Sequence, residues 1–387
     1  MHSTVRPAPS PDARRQPYNR LVLTVAFDAG PLHGPATGIA RATAGMRHAL
    51  ESFGDLRLVP YVSSFRAALE PDEVRLRLPA RPALELWGRV GRPRVDRRLR
   101  GAALVHGTNY VVPPIRIPRL VSVYDCWALE NPRLVHADVR AAMRVLRRSI
   151  ADGAFVHASS HATAERLRDL VPGCDVTVIH LGDLTTSAAS STDGAVIPPP
   201  LVGGVPFVLA VGTRERRKNL PTLVRAFADL ASRHPEVHLV LAGGPGDDDA
   251  IIDQAVSRLE SNIEHRVHLL GRVSEPTAKW LLEHSSLLAY PSLDEGFGFP
   301  LLEAMAHRTP IVASNVGSIP EVVGSAAVLV DPRDTDAWAE AISDVLTDAS
   351  LAARLVTAGD IRRQDFTWEK TGRLLHDLYR RVVASAP

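Results

Sequence analysis

From Leu21 onward the chain alternates short, unbroken apolar runs with longer stretches in which apolar residues recur at helical spacing. In the first half the runs are LVLTVAF (21–27), AALVHG (102–107), LVSVYD (120–125), GAFVHA (153–158) and VTVIHLG (176–182). The second half keeps the same rhythm with PFVLAVG (206–212), VHLVLAGG (237–244), RVHLLG (266–271), SLLAYP (286–291), TPIVAS (309–314) and AAVLVDP (326–332). Continuous apolar strands alternating with helices predict parallel sheets covered on both faces. The stretch TTSAASSTDGAVIPPPLVGG (185–204) is rich in Ser, Gly and Pro, has no period and reads as a linker. The expected architecture is therefore α/β, with two doubly wound domains at 20–184 and 205–365 and a closing helix, 366–387, packing back toward the first. Residues 1–19 are Pro- and Arg-rich without the apolar stretch of a signal peptide, and read as a disordered tail. Open α/β sheets bind ligands beyond the carboxyl ends of their strands, so two in series predict a site in the cleft between them.

Composition narrows the chemistry. With 45 Lys and Arg against 43 Asp and Glu the net charge is +2, which exerts no overall pull on nucleic acid. The two cysteines, Cys126 and Cys174, lie far apart with no His/Cys cluster, so neither a disulfide framework nor a structural zinc is expected, and the setting reads as cytoplasmic. No apolar run approaches the ~20 residues needed to span a bilayer.

The strand ends of the second half carry the candidate chemistry. In DEGFGFPLLEAMA (294–306), Gly296 and Gly298 favour irregular backbone and Pro300 suits a first helical turn, so a helix is predicted from about Pro300. Glu295 then lies in the loop and Glu303 early in the helix, facing one volume. Free N–H groups at the helix start suit a diphosphate, and carboxylates suit sugar or ribose hydroxyls. In AVGTRERRKNLPTLVRAF (210–227), strand and Gly212 lead into a basic loop and a helix capped by Asn219, which puts Arg217 and Lys218 at a strand's carboxyl end. Fixed cations in a water-poor cleft stabilise a departing diphosphate. GDDDA (246–250) offers carboxylates in metal-ligand style, but it opens a helix, where acids are favoured anyway. No metal and no other cofactor is expected.

These motifs, in this order and spacing, resemble those of family-four retaining glycosyltransferases of the GT-B fold, bacterial mannosyltransferase-like members included. The resemblance runs from Leu21 to about Val383 and rests on EGFGFPLLEAMA, PIVASNVGSIPEVVG (310–324), VGTRERRKN, LVLAGGPG, VHLLGRV and DFTWEKTGRLLHDLYRR (365–381). It implies two Rossmann-like domains, with Glu303 on the ribose and Glu295 at the donor sugar. Backbone at Phe297, Gly298, Phe299 and Leu301 would hold sugar hydroxyls and phosphates, and Arg217 and Lys218 would neutralise the leaving diphosphate. Backbone near Arg272 and Val273 would read the base. GPATGIARA (34–42), with Gly38 and Arg41, stands where the family has a loop that closes over phosphates or acceptor; on spacing alone it reads equally as a tight turn. One departure is Tyr124-Asp125 where many relatives have His-Asp. Tyr124 donates one hydrogen bond but carries no positive charge. His106 is the candidate to stand in, or a structural histidine after a buried strand.

The implied activity is transfer of a hexose from a nucleotide sugar, GDP-mannose first and UDP sugars next, to a glycan or lipid-linked acceptor of the cell envelope. A catalytically degenerate binding protein and a nucleotide-sugar 2-epimerase are the rivals. In ADVRAAMRVLRRSI (137–150), an apolar stripe and an arginine face predict either peripheral contact with the inner face of an anionic membrane or a core-packed helix with a solvated basic side. RVGRPRVDRRLRG (89–101) adds further arginine nearby.

Overall fold

The computed structural model describes residues 22–385 apart from 36, 65–66 and 184–193. The expected tail, and the linker as far as residue 193, lie outside the described residues.

Two parallel sheets carry the chain. The first contains β1 (Leu23–Asp28), β2 (Leu56–Val62), β3 (Val74–Arg75), β4 (Leu104–Gly107), β5 (Arg119–Val123), β6 (Phe155–Ala158) and β7 (Val176–Val178), in the order β3-β2-β1-β4-β5-β6-β7. The second contains β8 (Phe207–Val211), β9 (His238–Ala242), β10 (Val267–Gly271), β11 (Leu287–Tyr290), β12 (Ile311–Ser314) and β13 (Val328–Val330), in the order β10-β9-β8-β11-β12-β13. In each sheet the first strand is flanked by the second and the fourth, so the winding reverses there: between β1 and β4, and again between β8 and β11. These two switch points are where a doubly wound sheet opens a crevice for ligand.

Eleven strands match the apolar runs, while β2 and β3 do not. LRLVPYV holds a proline where a central strand would not, but β3 meets β2 only at Tyr61 and Val62, which leaves β2 close to an edge strand over its first residues.

Each sheet is covered on both faces. Val25, Phe27 and Leu104 of the first sheet join a core that continues through the last helix (Trp368–Ala384; Leu375, Tyr379) to Leu209, Tyr290 and Leu301 of the second half. On the opposite face of the first sheet, helices Ala80–Val90 and Ala137–Ala151 pack on each other through Trp87, Met143, Val145 and Leu146. In the second half, helix Leu220–Arg233 buries Leu220, Leu223, Val224, Phe227 and Leu230, the spacing of one helical face, against Trp338 and Ile342 of helix Thr335–Thr347. The last helix lies on helix Gly38–Glu51 of the first half. The two come close because Gly45 sits under Trp368, whose ring a Cβ there would meet at 2.1 Å.

Helix Ala137–Ala151 is core-packed. Arg144 reaches Glu85 at 2.6 Å, Arg147 the Leu170 carbonyl and Arg148 the Arg89 carbonyl, both at 2.9 Å, and Arg140 bonds the Val135 carbonyl. Its arginines thus hold the fold together, and the membrane role expected for 137–150 loses its free charges. Among the described residues no helix is long and apolar enough to cross a membrane.

Candidate functional site

The second switch point is built by the ends of β8 and β11. After β8, Gly212 turns at φ +142° and the aliphatic part of Lys218 lies over it. The chain forms a short 3-10 turn, Arg216–Lys218, and enters helix Leu220–Arg233. Asn219 stands at the helix start as expected, but its side chain does not cap it. Asn219 adopts φ +53° and its amide donates to the carbonyls of Pro291 and Pro332, at 3.0 and 2.7 Å, tying together the loops after β8, β11 and β13.

After β11, Glu295 is buried and meets both cations: Lys218 Nζ at 2.5 Å on one oxygen, Arg217 at 2.8 Å on the other. Ser292 donates to Glu295 at 2.8 Å, and Lys218 donates to the Tyr290 hydroxyl at 3.0 Å. Burial pushes the Glu295 carboxyl up, but the adjacent Arg217 and Lys218 outweigh it and hold it at about 2. Lys218 is pushed down by its own burial and by Arg217, against the pull of Glu295. Two cations thus share one buried carboxylate, and a second, partly exposed carboxylate, Glu215, stands 3.6 Å from Arg217.

The loop that follows is shaped by contact with the first half. A Cβ on Gly296 would stand 1.5 Å from the Tyr124 carbonyl oxygen, so only glycine lets the two backbones touch. Ser159 donates to the carbonyls of Tyr124 and Gly296, at 3.1 and 3.0 Å, and Thr163 adds a bond to Tyr124 at 3.0 Å. Beyond them Glu321 accepts the N–H groups of His161 and Ala162 and bonds His180 at 2.6 Å, capping a first-half helix from the second half. Phe297 turns its ring into this contact, against His180, Phe299 and Phe366.

Helix Phe299–Ala306 begins one residue before Pro300, after Gly298 at φ +92°. The Leu301 N–H donates to the Gly298 carbonyl at 3.0 Å, so its expected part in holding phosphates falls away. No acceptor among the described residues meets the N–H groups of Gly298 and Phe299. Glu303 faces the cleft, where Arg41 of the first half reaches it at 2.5 Å; burial raises the carboxyl and Arg41 partly offsets this. Gly38 starts its helix 3.7 Å, measured from an ideal Cβ, from the Phe299 ring, so the helix starts of the two halves face each other. Arg272 and Val273 follow β10, with Arg272 beside Gly244 at the end of β9.

The remaining candidates divide. Asp125 is half-buried, accepts the Trp127 N–H at 3.1 Å and adds to the field at Arg217. Tyr124 is buried and its hydroxyl donates to the Thr108 carbonyl at 2.7 Å, so it offers the cleft only backbone. His106 does not stand in for a cleft histidine. It is fully buried in a chain whose direction follows from one end: His157 Nε2 meets the Ile179 carbonyl at 2.9 Å and must donate. Its Nδ1 then accepts from Ser122, Ser122 accepts from His106 Nε2, and His106 Nδ1 accepts from Tyr379 at 2.7 Å. Burial pushes both imidazoles down, His157 to about 4, as a neutral chain requires. His106 thus pins the last helix to the first sheet.

Asp247 accepts the Arg216 N–H at 3.0 Å and Asp249 pairs with Arg214 at 2.9 Å, so GDDDA braces the basic loop. One group escaped the sequence reading. Asp28 ends β1 at the first switch point; among the described residues its carboxylate meets only the Gly30 N–H, and burial pushes the carboxyl up to about 7. The Tyr61 hydroxyl, on the residue paired with Asp28 in β2, has no hydrogen-bond partner among the described residues. A lone acid at a strand end belongs to no motif, and no cation accompanies it in the sequence to mark it.

Two doubly wound sheets whose switch points face one cleft make this a GT-B fold. Residues 198–362 match the family model described as Glycosyl transferases group 1. The chain is 36% identical over 167 residues to O-antigen chain mannosyltransferase B of Escherichia coli, covering 42% of each chain. It is 33% identical over 228 residues to D-inositol 3-phosphate glycosyltransferase of Mycolicibacterium paratuberculosis, covering 58% of this chain and 49% of that one. The chain thus spans less than half the length of these two relatives. Among solved structures, sucrose-phosphate synthase from Thermosynechococcus elongatus superposes with a TM-score of 0.70 at 20% identity, over 94% of this chain and 100% of that one.

Proposed function

We propose that this protein is a retaining glycosyltransferase that moves a hexose from a nucleotide sugar to a hydroxyl of a glycan or lipid-linked acceptor. The observation that carries the reading is the buried Arg217–Glu295–Lys218 triad at the β8/β11 switch point. Two cations share a single buried carboxylate, Glu215 standing partly exposed at the edge 3.6 Å from Arg217, and an entering diphosphate supplies further anions to the pair. As the anomeric bond loosens, charge grows on the leaving diphosphate, and preoriented cations in a dry cleft stabilise it without reorganising. Fixed side chains fill the place of a metal in this scheme. The free N–H groups of Gly298 and Phe299 add donors for phosphate or sugar oxygens.

Glu303 takes the ribose hydroxyls by exchanging Arg41 for them, which frees Arg41 to meet the phosphates or the acceptor. The end of β10 lies two strands from β8, about 10 Å at ~4.8 Å per strand, which suits a base bound at Arg272 and Val273. Glu295, clamped between two cations, is poorly placed as a covalent nucleophile, so retention fits front-face attack. Likeness to the E. coli mannosyltransferase favours GDP-mannose as donor, with UDP sugars next.

The test is transfer from labelled GDP-mannose and UDP-glucose to extracted lipids and glycans, with and without EDTA, the product anomer read by NMR. Formation of an α-linked product unaffected by EDTA supports the reading. A 2-epimerised nucleotide sugar without acceptor product contradicts it.

A further inference from the structure

The arginines left free by the fold gather elsewhere on the first half. The loop after helix Ala80–Val90 brings Arg92, Arg94, Arg97 and Arg98 to the surface, and Arg77 and Arg116 join them from before that helix and before β5. All six are exposed, and among the described residues none has a side-chain hydrogen bond or a carboxylate within ion-pair distance. Asp96 is the single acid among them, and it already accepts the Arg116 backbone N–H at 2.9 Å. Five of them, with Leu76 and Val95 beneath, line a depression of about 590 Å³, and a second of about 560 Å³ adjoins it across Pro93, Arg94 and Arg116. The rim of the second is apolar: Leu86 and Val90, one helical turn apart, are 47% and 53% exposed.

Unpaired guanidinium groups repel one another and gain nothing from the fold, so their gathering calls for an anionic partner. The apolar step beside them decides which kind. Leu86 and Val90 stand free in water beside the charges, the arrangement of a surface that enters the headgroup layer of a bilayer with arginine at phosphate depth. A nucleic acid would want aromatic side chains to stack on, and the linings of both depressions hold none. The geometry points to a docking surface for an anionic phospholipid membrane, built from Arg77, Arg92, Arg94, Arg97, Arg98 and Arg116 around Leu86 and Val90. No cleft residue lines the two depressions, and the patch adjoins the tied-down Arg148, which packs against Gly91, so the proposal holds whatever donor the cleft accepts.

The test is co-sedimentation of the full chain with vesicles of phosphatidylcholine alone or with about 30 mol % phosphatidylglycerol. The protein partitions onto the anionic vesicles only, and about 0.5 M NaCl releases it. The variant Arg94→Glu/Arg97→Glu/Arg98→Glu loses roughly a hundredfold or more in partition. A charge-matched control, Arg258→Glu/Arg354→Glu/Arg373→Glu, binds like the parent. Leu86→Ser/Val90→Ser weakens binding about tenfold, a readout independent of the charge reversals. Absence of partition by the parent overturns the proposal, as does equal loss in the control. So does tight binding of inorganic pyrophosphate or of a short RNA by a protein that ignores the vesicles.

Discussion

The two switch points occupy the same place in two sheets of the same winding, yet they present opposite chemistry. At the end of β8 and β11, two cations and one carboxylate are buried together, and Glu295 is held at about 2. At the end of β1, the Asp28 carboxylate has one backbone partner and no cation among the described residues, and burial carries it to about 7. The winding dictates where a ligand goes, and the side chains dictate which half of it goes there. A doubly charged diphosphate matches the second switch point. The first, with a half-ionised acid and an unpartnered phenol, matches an uncharged hydroxyl compound. Arg41 and Glu303 bridge the two halves at 2.5 Å, and in the proposed function that bridge opens as donor and acceptor bind.

The largest effect expected from this contrast is at the charged end. Lys218→Ala lowers turnover roughly 100- to 1000-fold, because one preorganised cation leaves the diphosphate, and Asp28→Asn leaves nucleotide binding unchanged. Steady-state rates and nucleotide titrations on the two variants check this. Comparable nucleotide losses in both would erase the distinction between the switch points.

Next in size is a stability effect at the first sheet. Tyr379→Phe leaves His106 Nδ1 buried without a donor and costs about 1–3 kcal/mol, read as a lowered denaturation midpoint with nucleotide affinity intact. A change in affinity instead would return His106 to the cleft.

The two acids also respond to pH with opposite sign. Glu295, depressed in the fold, contributes stability that is present above its ordinary 4.5 and is lost as pH falls toward about 2. Asp28, raised in the fold, binds its proton more tightly than the unfolded chain does, so stability declines as pH rises from its ordinary 3.8 through about 7. Asp28→Asn therefore stabilises the protein by about 1–2 kcal/mol at pH 8 and has little effect below pH 4, a difference that melting curves at the two pH values resolve.

The smallest effect belongs to the bridge. Arg41 is 41% exposed, so its pair with Glu303 is worth about 0–1 kcal/mol, and Arg41→Ala tightens nucleotide binding by up to about fivefold while turnover falls. Weaker nucleotide binding in that variant would mean that Arg41 serves the donor directly.

Eleven strands were readable because each is a largely apolar run, and the central ones are buried on both faces. The two that were not are instructive: β2 carries Pro60 and is covered by β3 only at Tyr61 and Val62, and β3 is the edge strand, with two residues. The positions of Glu295, Arg217 and Lys218 at strand ends were legible from glycine and proline spacing. Their mutual neutralisation was not, because residues 77 apart meet only once β8 and β11 become neighbours. Arg41 and Glu303, 262 residues apart, depend on the docking of one half on the other. His106 stood at a strand end like a site residue, and only the last helix, arriving 273 residues later with Tyr379, gives it a structural role.

The most direct test of the central claim is calorimetric titration of the parent protein, Lys218→Ala and Asp28→Asn with GDP and UDP in the absence of metal. One nucleotide is expected to bind the parent and Asp28→Asn alike and to bind Lys218→Ala at least tenfold more weakly. Binding lost in Asp28→Asn but kept in Lys218→Ala, or no binding of either nucleotide to the folded parent, would contradict it.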